Sequence, residues 1–267
     1  MKLPNAAQIA AYRRDGFVRI PNFLDEAELR RWRDVTDDAV RERVAGTSDD
    51  GGFYARVFTQ CQRLADTHAG MAELILDARL GQAAALLAGV DGVRVWHDQA
   101  LIKPHYGNPT AWHLDDPFWS FDSGDAVSVW VALDDATIEN GCLWYLPGTQ
   151  REARYELTPI GENFGALFDQ YPQWLEREPI AVPCPAGGAI FHNGLVAHGA
   201  GANMTPRPRR AMTCAFMPDG ATYNGRPHDM LAPEYVASLR IGDPIDDDRR
   251  FPLVWSRAPA GSPAACD

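Results

Sequence analysis

One short segment combines two residue types that bind metal ions. In Trp112-His113-Leu114-Asp115, the histidine and the aspartate are two positions apart. Alternate residues of an extended segment point to the same side, so an imidazole and a carboxylate here can reach one ion. A surface histidine beside a loop aspartate would show the same spacing. The triplet therefore predicts a metal site only together with a further ligand elsewhere in the chain.

The segment 191–199 offers two histidines as that further ligand. His198 follows a strand-like Ala-Ile-Phe run and precedes a glycine-rich turn, while His192 lies inside the run and competes for the role. Two histidines and one carboxylate occupy one face of a metal and leave three positions open. Non-haem iron(II) oxygenases use this arrangement to bind a cosubstrate and oxygen together. A half-buried structural histidine is the alternative explanation.

The residues after His198 favour it over His192. The run HGAGANMTPRPRRA places Arg209 eleven residues beyond His198, at the start of the next predicted strand. An arginine there can form a bidentate pair with the distal carboxylate of 2-oxoglutarate. We expect its neighbours Arg207 and Arg210 to face solvent, and strand alternation gives the reason for Arg210. The pattern thus predicts His113, Asp115 and His198 as metal ligands and Arg209 as a carboxylate clamp.

The elements that would position these residues change character along the chain. Cap signals at Asn5 with Gln8 and at Asp25 with Glu28 predict two helices, and residues 71–87 predict a third. From residue 93, short β-branched and aromatic runs alternate between turn residues, as in a jelly roll. We therefore predict one mainly β domain over residues 1–267, a double-stranded β-helix of the cupin-like type. A helical cover (about 1–90) and a C-terminal extension (about 221–267) would flank the core (about 91–220).

Composition limits the possible partners. The net charge of −11 disfavours a nucleic-acid partner, which needs a basic surface. The sequence shows no apolar run of spanning length and no signal peptide, so we expect no membrane partner and a cytoplasmic location. The cysteines at positions 61, 142, 184, 214 and 266 form no CxxC pair, so we expect free thiols, buried at 142, 184 and 214. A small molecule is the expected partner, and the oligomeric state stays open.

Four ordered segments resemble the phytanoyl-CoA dioxygenase family of iron(II)/2-oxoglutarate oxygenases. They are YRRDGFVRIPNFL, WHLDDPFW, WVALDDATIENGCLWYLPGT and HGAGANMTPRPRRAM, within residues of about 11–217. The resemblance implies that the iron is held by His113, Asp115 and His198. It places Arg209 at the cosubstrate arginine position, and it implies that the cosubstrate site is lined by Lys103, Trp130 and Gln99.

The same resemblance implies an activity. Fe(II), 2-oxoglutarate and oxygen would hydroxylate or otherwise oxidise a small organic substrate, releasing succinate and carbon dioxide, with ascorbate as an added reductant. Halogenases of this family lack the metal carboxylate, so the presence of Asp115 favours hydroxylation. No catalytic side chain is expected beyond the metal centre, because the oxidising chemistry belongs to the metal. A cupin-type metalloenzyme that does not use 2-oxoglutarate and a non-catalytic jelly-roll binding protein are the alternatives.

Substrate contacts are predicted less directly. The residues expected to face the substrate are His97, His105, Tyr106, Phe118 and Trp119, although packing would explain the aromatic ones equally well. The stretch 151–180 is expected to fold over the site as a lid. No basic patch is evident for the phosphates of coenzyme A. A small organic acid, an amine or a secondary metabolite is therefore as plausible a substrate as a thioester.

Overall fold

The computed structural model describes residues 1–45, 57–228 and 230–257, and in these ranges two antiparallel sheets dominate. The major sheet has the strand order β1-β8-β5-β10-β3-β11, with β2 also paired to β3. Its strands are β1 Phe17–Ile20, β2 Thr59–Gln62, β3 Gly92–Lys103, β5 Val127–Ala132, β8 Ala189–Asn193, β10 Arg209–Pro218 and β11 Leu253–Ser256. The minor sheet has the order β4-β9-β6-β7, formed by β4 Thr110–His113, β6 Leu143–Tyr145, β7 Ile180–Val182 and β9 His198–Ala200. The double-stranded β-helix prediction is confirmed.

In the described ranges, four α-helices precede β3 and two follow it. They are α1 Ala6–Asp15, α2 Glu26–Val44, α3 Ala69–Ile75, α4 Ala78–Ala88, α5 Ala166–Gln170 and α6 Pro233–Ser238. The predicted capping boxes at Asn5 and Asp25 are both present. The single helix predicted over residues 71–87 is wrong, because the Asp77 side chain accepts a hydrogen bond from the Arg79 amide and starts a new helix.

The first four helices cover one face of the major sheet. Trp32, Leu74 and Leu87 from the helices share one core with Val95 and Val129 from the strands. The opposite face of the major sheet looks toward the minor sheet, and residues of both sheets line a cavity between them. Burial of the outer face thus leaves the inner face to build the site.

A β-bulge in β3 decides which side chains face that cavity. The pairing with β10 runs regularly from Lys103 to His97, opposite Ala215, and then jumps so that Phe216 pairs with Val95. Trp96 is therefore left without a partner, and the alternation along β3 changes phase. Val95 packs in the helical core, whereas Trp96 and His97 both lie on the other side of the strand.

The remaining expectations are met only in part by the described residues. Cys61, Cys142, Cys184 and Cys214 are buried free thiols, and Cys266 lies outside the described ranges. The C-terminal extension adds β11 to the edge of the major sheet. Across the described ranges, no helix is both long and apolar enough to cross a membrane.

Candidate metal centre

Three ligand atoms converge beside the minor sheet, where the end of β4 pairs with the start of β9. His113 ends β4 and His198 begins β9, and the two residues face each other across the antiparallel pair. Their Nε2 atoms lie 3.5 Å and 3.6 Å from Oδ1 of Asp115, which follows β4 by two residues. All three ligand atoms lie within 4.8 Å of one another. One metal ion can therefore contact all three side chains.

Backbone carbonyls orient both imidazoles toward that point. Nδ1 of His113 lies 2.8 Å from the Ala111 carbonyl, and Nδ1 of His198 lies 3.0 Å from the Val196 carbonyl. Because a carbonyl can only accept, each Nδ1 carries the hydrogen and leaves the Nε2 lone pair for a metal. Burial and the nearby His113 hold the pKa of His198 well below its ordinary value, so this ring is neutral.

The protein hydrogen-bonds one oxygen of the Asp115 carboxylate, Oδ2. Its Oδ2 accepts a 2.9 Å hydrogen bond from the Ser128 hydroxyl and a 3.1 Å hydrogen bond from Nε2 of His192. Oδ1 is left to face the two metal-binding imidazoles. Burial raises the pKa of Asp115, but the adjacent imidazoles of His198, His113 and His192, the last of them hydrogen-bonded to Oδ2, outweigh this and hold the pKa well below its ordinary range. The group is therefore ionised and directed at the metal through one oxygen.

The sequence left His192 open as a metal ligand, but in the structure it hydrogen-bonds to the metal ligand Asp115. With Nε2 donating to Asp115, its Nδ1 accepts a hydrogen bond from the Tyr145 hydroxyl at 2.9 Å. Burial raises the pKa of Tyr145 well above its ordinary value, so the phenol keeps its proton for this bond. His192 is not among the mutually close ligand atoms of the described chain. It lies behind the carboxylate and orients it.

Backbone contacts fix the segment that carries Asp115. The amides of Asp115 and Asp116 both donate to the Gly194 carbonyl at 2.9 Å, just beyond the end of β8. A Cβ at Gly194 would come within 2.9 Å of the Trp119 ring and 3.2 Å of Asp116. Only a glycine permits this close approach, so Gly194 couples the position of the metal ligand to the major sheet.

A cavity of about 430 Å³ opens from the ligand cluster and contains Arg209 in its wall. Arg209 is 2 % exposed, donates from Nη1 to the Gly141 carbonyl at 2.9 Å, and places its guanidinium carbon 4.9 Å from the centre of the Trp130 ring. Its Nε is buried without a partner. Burial lowers its pKa to about 10, so it remains charged at neutral pH. A buried cation with a free donor is suited to an anionic ligand.

The other predicted cosubstrate residues lie around Arg209. Trp130 and Gln99 line the cavity, and Gln99 is hydrogen-bonded to Gln60 of β2. Lys103 pairs with Arg209 across the strands, but it is fully buried outside the cavity wall and donates from Nζ to the Asn108 carbonyl at 2.6 Å. Burial, followed by the charge of Arg209, lowers the pKa of Lys103 to about 7. Lys103 thus places a second basic group behind Arg209.

The neighbouring arginines differ from each other. Arg207 is exposed, as expected, but it precedes β10, so strand alternation does not determine its direction. Arg210 does not simply face solvent as expected. It is half-buried and forms ion pairs with Asp134 and Asp37 at 2.7 Å and 2.6 Å, because Asp37 on α2 reaches the start of β10. The structure therefore separates the three arginines into one cavity residue, one surface residue and one structural ion pair.

The structure brings only some of the predicted substrate residues together. His97, Phe118 and Trp119 line the cavity, whereas His105 and Tyr106 lie exposed in the turn after β3 and outside its described wall. The expected lid contributes three apolar residues to the wall. Sequence reasoning missed several other wall residues, which belong to segments without a recognisable chemical motif: Phe58, Gln60 and Gln62 at β2, and His228 after β10.

The residues present fit an iron(II) ion with 2-oxoglutarate. Two imidazole nitrogens and one carboxylate oxygen on one side of the metal are the donor set of non-haem iron(II) oxygenases. Arg209, with an unpartnered donor in the same cavity, fits the far carboxylate of the cosubstrate. The jelly roll and this site are those of a non-haem iron(II)/2-oxoglutarate-dependent dioxygenase.

Comparison with known proteins gives the family. The family model described as phytanoyl-CoA dioxygenase (PhyH) matches residues 12–211, and the chain belongs to that family. A methylphosphonate hydroxylase of Gimesia maris is 28% identical over 246 residues, covering 88% of this chain and 86% of its own. An ectoine dioxygenase of Bordetella parapertussis is 27% identical over 264 residues, covering 88% and 80%.

Two solved structures from nogalamycin biosynthesis share the fold. The carbocyclase SnoK superposes with a TM-score of 0.77 at 26% identity, covering 94% of this chain and 96% of its own. The epimerase SnoN, in complex with Fe3+, alpha ketoglutarate and nogalamycin RO, gives a TM-score of 0.77 at 30% identity, covering 93% and 97%. Proteins with the same fold throughout thus bind the metal and cosubstrate for which this site is suited.

Proposed function

We propose that this dioxygenase hydroxylates a small organic molecule, with His113, Asp115 and His198 as the iron ligands. The observation that carries the proposal is the convergence of these three ligand atoms in one cavity with the buried, charged Arg209. The balanced reaction consumes the substrate C–H bond, oxygen and 2-oxoglutarate. It yields the C–OH product, succinate and carbon dioxide.

Bound Fe(II) supplies the coupling of oxygen reduction to oxidative decarboxylation of 2-oxoglutarate, and the chain supplies position and shielding. Ser128 and His192 occupy Oδ2 of Asp115, so this carboxylate binds through Oδ1 alone. A metal held by these two imidazoles and one carboxylate oxygen would keep positions free for the cosubstrate and oxygen. Ser128 and His192 would thereby prevent Asp115 from taking up a further position.

Arg209 holds the far carboxylate of the cosubstrate. The ring of Trp130 covers its guanidinium on one side, and the Gly141 carbonyl fixes Nη1, so its free donor has little freedom to turn away. Gln99 lines the same cavity farther along the strands, opposite Thr213. A non-catalytic binding protein would gain nothing from such a clamp beside a metal site.

A second candidate is oxidation without oxygen insertion. The structural relatives SnoK and SnoN are titled as a carbocyclase and an epimerase, and both match this chain over more than nine-tenths of its length. Such a reaction would consume the same cosubstrate. The product mass separates it from hydroxylation, which adds one oxygen atom.

The deciding experiment measures succinate formed from 2-oxoglutarate after anaerobically iron-loaded protein is exposed to oxygen. We expect iron-dependent succinate in the wild type and in Arg207→Ala, whose side chain is exposed away from the cavity. We expect none above background in His113→Ala or Asp115→Ala. Calorimetric titration of 2-oxoglutarate into the Zn(II)-loaded protein gives a second readout that needs no turnover. Absence of both succinate and binding would favour a cupin-type enzyme that does not use 2-oxoglutarate.

A further inference from the structure

One row of side chains crosses the major sheet at the level of the metal carboxylate. The strand registers align His192 with Ser128, Ser128 with Ala215, and Ala215 with His97. The first two residues hold Asp115, so His97 lies at the far end of the same row. Neighbouring strands are about 4.8 Å apart, which places the backbone of His97 about 10 Å from that of Ser128. The small Ala215 between them leaves the space above it free for a ligand.

The bulge aims His97 into this space. Because Trp96 is left out of the pairing, His97 takes up the cavity-facing alternation that Gln99 and Leu101 continue. Trp96 is in turn fixed by stacking on Phe251, with ring centres 5.2 Å apart, and by an edge contact with Phe121 at 5.3 Å. A bulge sets the direction of a side chain through the backbone pairing on either side of it. The position of His97 is therefore built into the sheet.

His97 has bonding capacity that the protein does not use. Its side chain lies in the cavity wall, the residue is 8 % exposed, and Nδ1 is buried without a hydrogen-bond partner. Burial lowers its pKa to about 4, so the ring is neutral at physiological pH. A neutral imidazole offers one donor and one acceptor. Buried polar atoms normally have partners, so an unpartnered one at a cavity wall points to a ligand.

The rest of this end of the cavity offers hydrogen-bonding groups. In the described wall, Asp115 is the carboxylate and Arg209 the guanidinium, and both already have assigned parts. The other polar groups are amides, a hydroxyl and imidazoles, contributed by Gln60, Gln62, Gln99, Thr213, His97 and His228. Leu157, Pro159 and Ile160 provide an apolar face. Beyond Asp115 and Arg209, the described wall thus offers a substrate no carboxylate, lysine or arginine to pair with, and a charged group that enters without such a partner loses hydration.

We propose that the substrate is a neutral compound whose hydroxyl or carbonyl group hydrogen-bonds to His97, so that the C–H bond to be oxidised lies over Ala215. This inference rests on the proposed function and adds the substrate class to it. It excludes carboxylic acids, amines and coenzyme A thioesters as substrates. His97 is then a specificity-determining residue that contacts the substrate.

The test uses ligand-observed NMR on Zn(II)- and 2-oxoglutarate-loaded protein, which cannot turn over. The probes are three matched sets of small organic compounds: alcohols and ketones, the corresponding carboxylates, and the corresponding amines, with one coenzyme A thioester. The variants are His97→Ala, His97→Gln and the control His105→Ala, which changes an exposed histidine outside the cavity wall.

We expect the alcohols and ketones to bind in preference to the charged sets. Their affinity should fall about tenfold in His97→Ala, recover in part in His97→Gln, and stay unchanged in His105→Ala. Stronger binding by the charged sets, no binding by any neutral compound, or equal affinities in His97→Ala would each overturn the inference. Calorimetric titration of 2-oxoglutarate into the same Zn(II)-loaded proteins, before the cosubstrate is added, separates failure of this inference from failure of the proposed function. If 2-oxoglutarate fails to bind the wild type, the proposed function itself fails, whereas retained binding in His97→Ala shows that the variant is folded.

Discussion

The two ends of the cavity differ in how completely the protein satisfies its own polar groups. At the metal end, Nδ1 of both metal-binding imidazoles and Oδ2 of Asp115 have protein partners, which leaves one ligand atom per side chain for the metal. At the other end, Nδ1 of His97 is buried and has none. A fully partnered network is rigid, and an unpartnered group gains a bond when a ligand arrives. The fold thus completes what iron requires and leaves open what a substrate must supply.

The backbone is also more regular at the metal end of the cavity than at the substrate end. The metal ligands lie on or beside paired strands, and the Asp115 segment is bonded to the Gly194 carbonyl. Leu157, Pro159 and Ile160 of the opposite wall lie in a stretch without regular structure. Loops tolerate sequence change better than paired strands do. This asymmetry suits a family in which metal and cosubstrate stay constant while relatives differ in substrate, as the methylphosphonate and ectoine enzymes do.

The largest effect is expected at Arg209, which is proposed to bind the cosubstrate. Arg209→Ala should raise the 2-oxoglutarate dissociation constant at least about 30-fold, because a buried charge-assisted pair is lost. Arg207→Ala, two residues away and exposed, should leave the constant unchanged. Calorimetric titration into Zn(II)-loaded protein measures both. An unaltered constant in Arg209→Ala would move the clamp to another cation, and Lys103 would be the first to test.

A smaller effect should follow from loosening Asp115 without removing it. His192→Phe removes the donor to Oδ2, and loss of such an outer partner typically weakens metal binding about 10–100-fold. Tyr145→Phe, which removes only the hydrogen bond to His192, should weaken it less. Equilibrium dialysis with Co(II) gives the affinities. If His192→Phe behaves like Asp115→Ala, then His192 is itself a ligand; if metal affinity is unchanged, Ser128 and the Gly194 contacts suffice to hold the carboxylate.

The metal end of the cavity is easier to predict from the sequence than the substrate end, because its patterns are local. The spacing of His113 and Asp115 depends on strand alternation, and the distance from His198 to Arg209 depends on one turn between two strands. Both are local properties of the chain. The parts of Ser128 and Tyr145 depend on which strands become neighbours and in what register, and no local pattern in the chain carries that information.

The substrate end was harder to predict because it is assembled from distant segments. His97 was predicted to face the substrate, but simple alternation along β3 would have put Trp96 and His97 on opposite sides, and the bulge puts both on one. His228 and the β2 residues join the wall through tertiary contacts alone. His105 and Tyr106 have suitable side chains but follow the end of the strand, where the chain turns to the surface.

The last effect is on the stability of the fold rather than on binding, and it depends on pH. Because burial lowers the pKa of His97 from 6.5 to about 4, the unfolded chain binds a proton between these pH values that the folded chain excludes. Stability from this residue is therefore complete above pH 6.5 and declines as the pH falls toward 4. At pH 5 the loss should be about 2 kcal/mol relative to pH 7.5. Urea unfolding of EDTA-treated protein at both pH values measures it.

His97→Gln should remove that part of the pH dependence, whereas the exposed-site control His105→Gln should retain it. Protonation of other buried groups, including His198, is common to all three proteins and cancels in the difference between them. Equal pH slopes in His97→Gln and wild type would mean that the folded protein protonates His97 near its ordinary pKa. The substrate end would then become cationic as the pH falls below 6.5, and anionic substrates would have to be reconsidered, so this difference bears directly on the contrast between the two ends of the cavity.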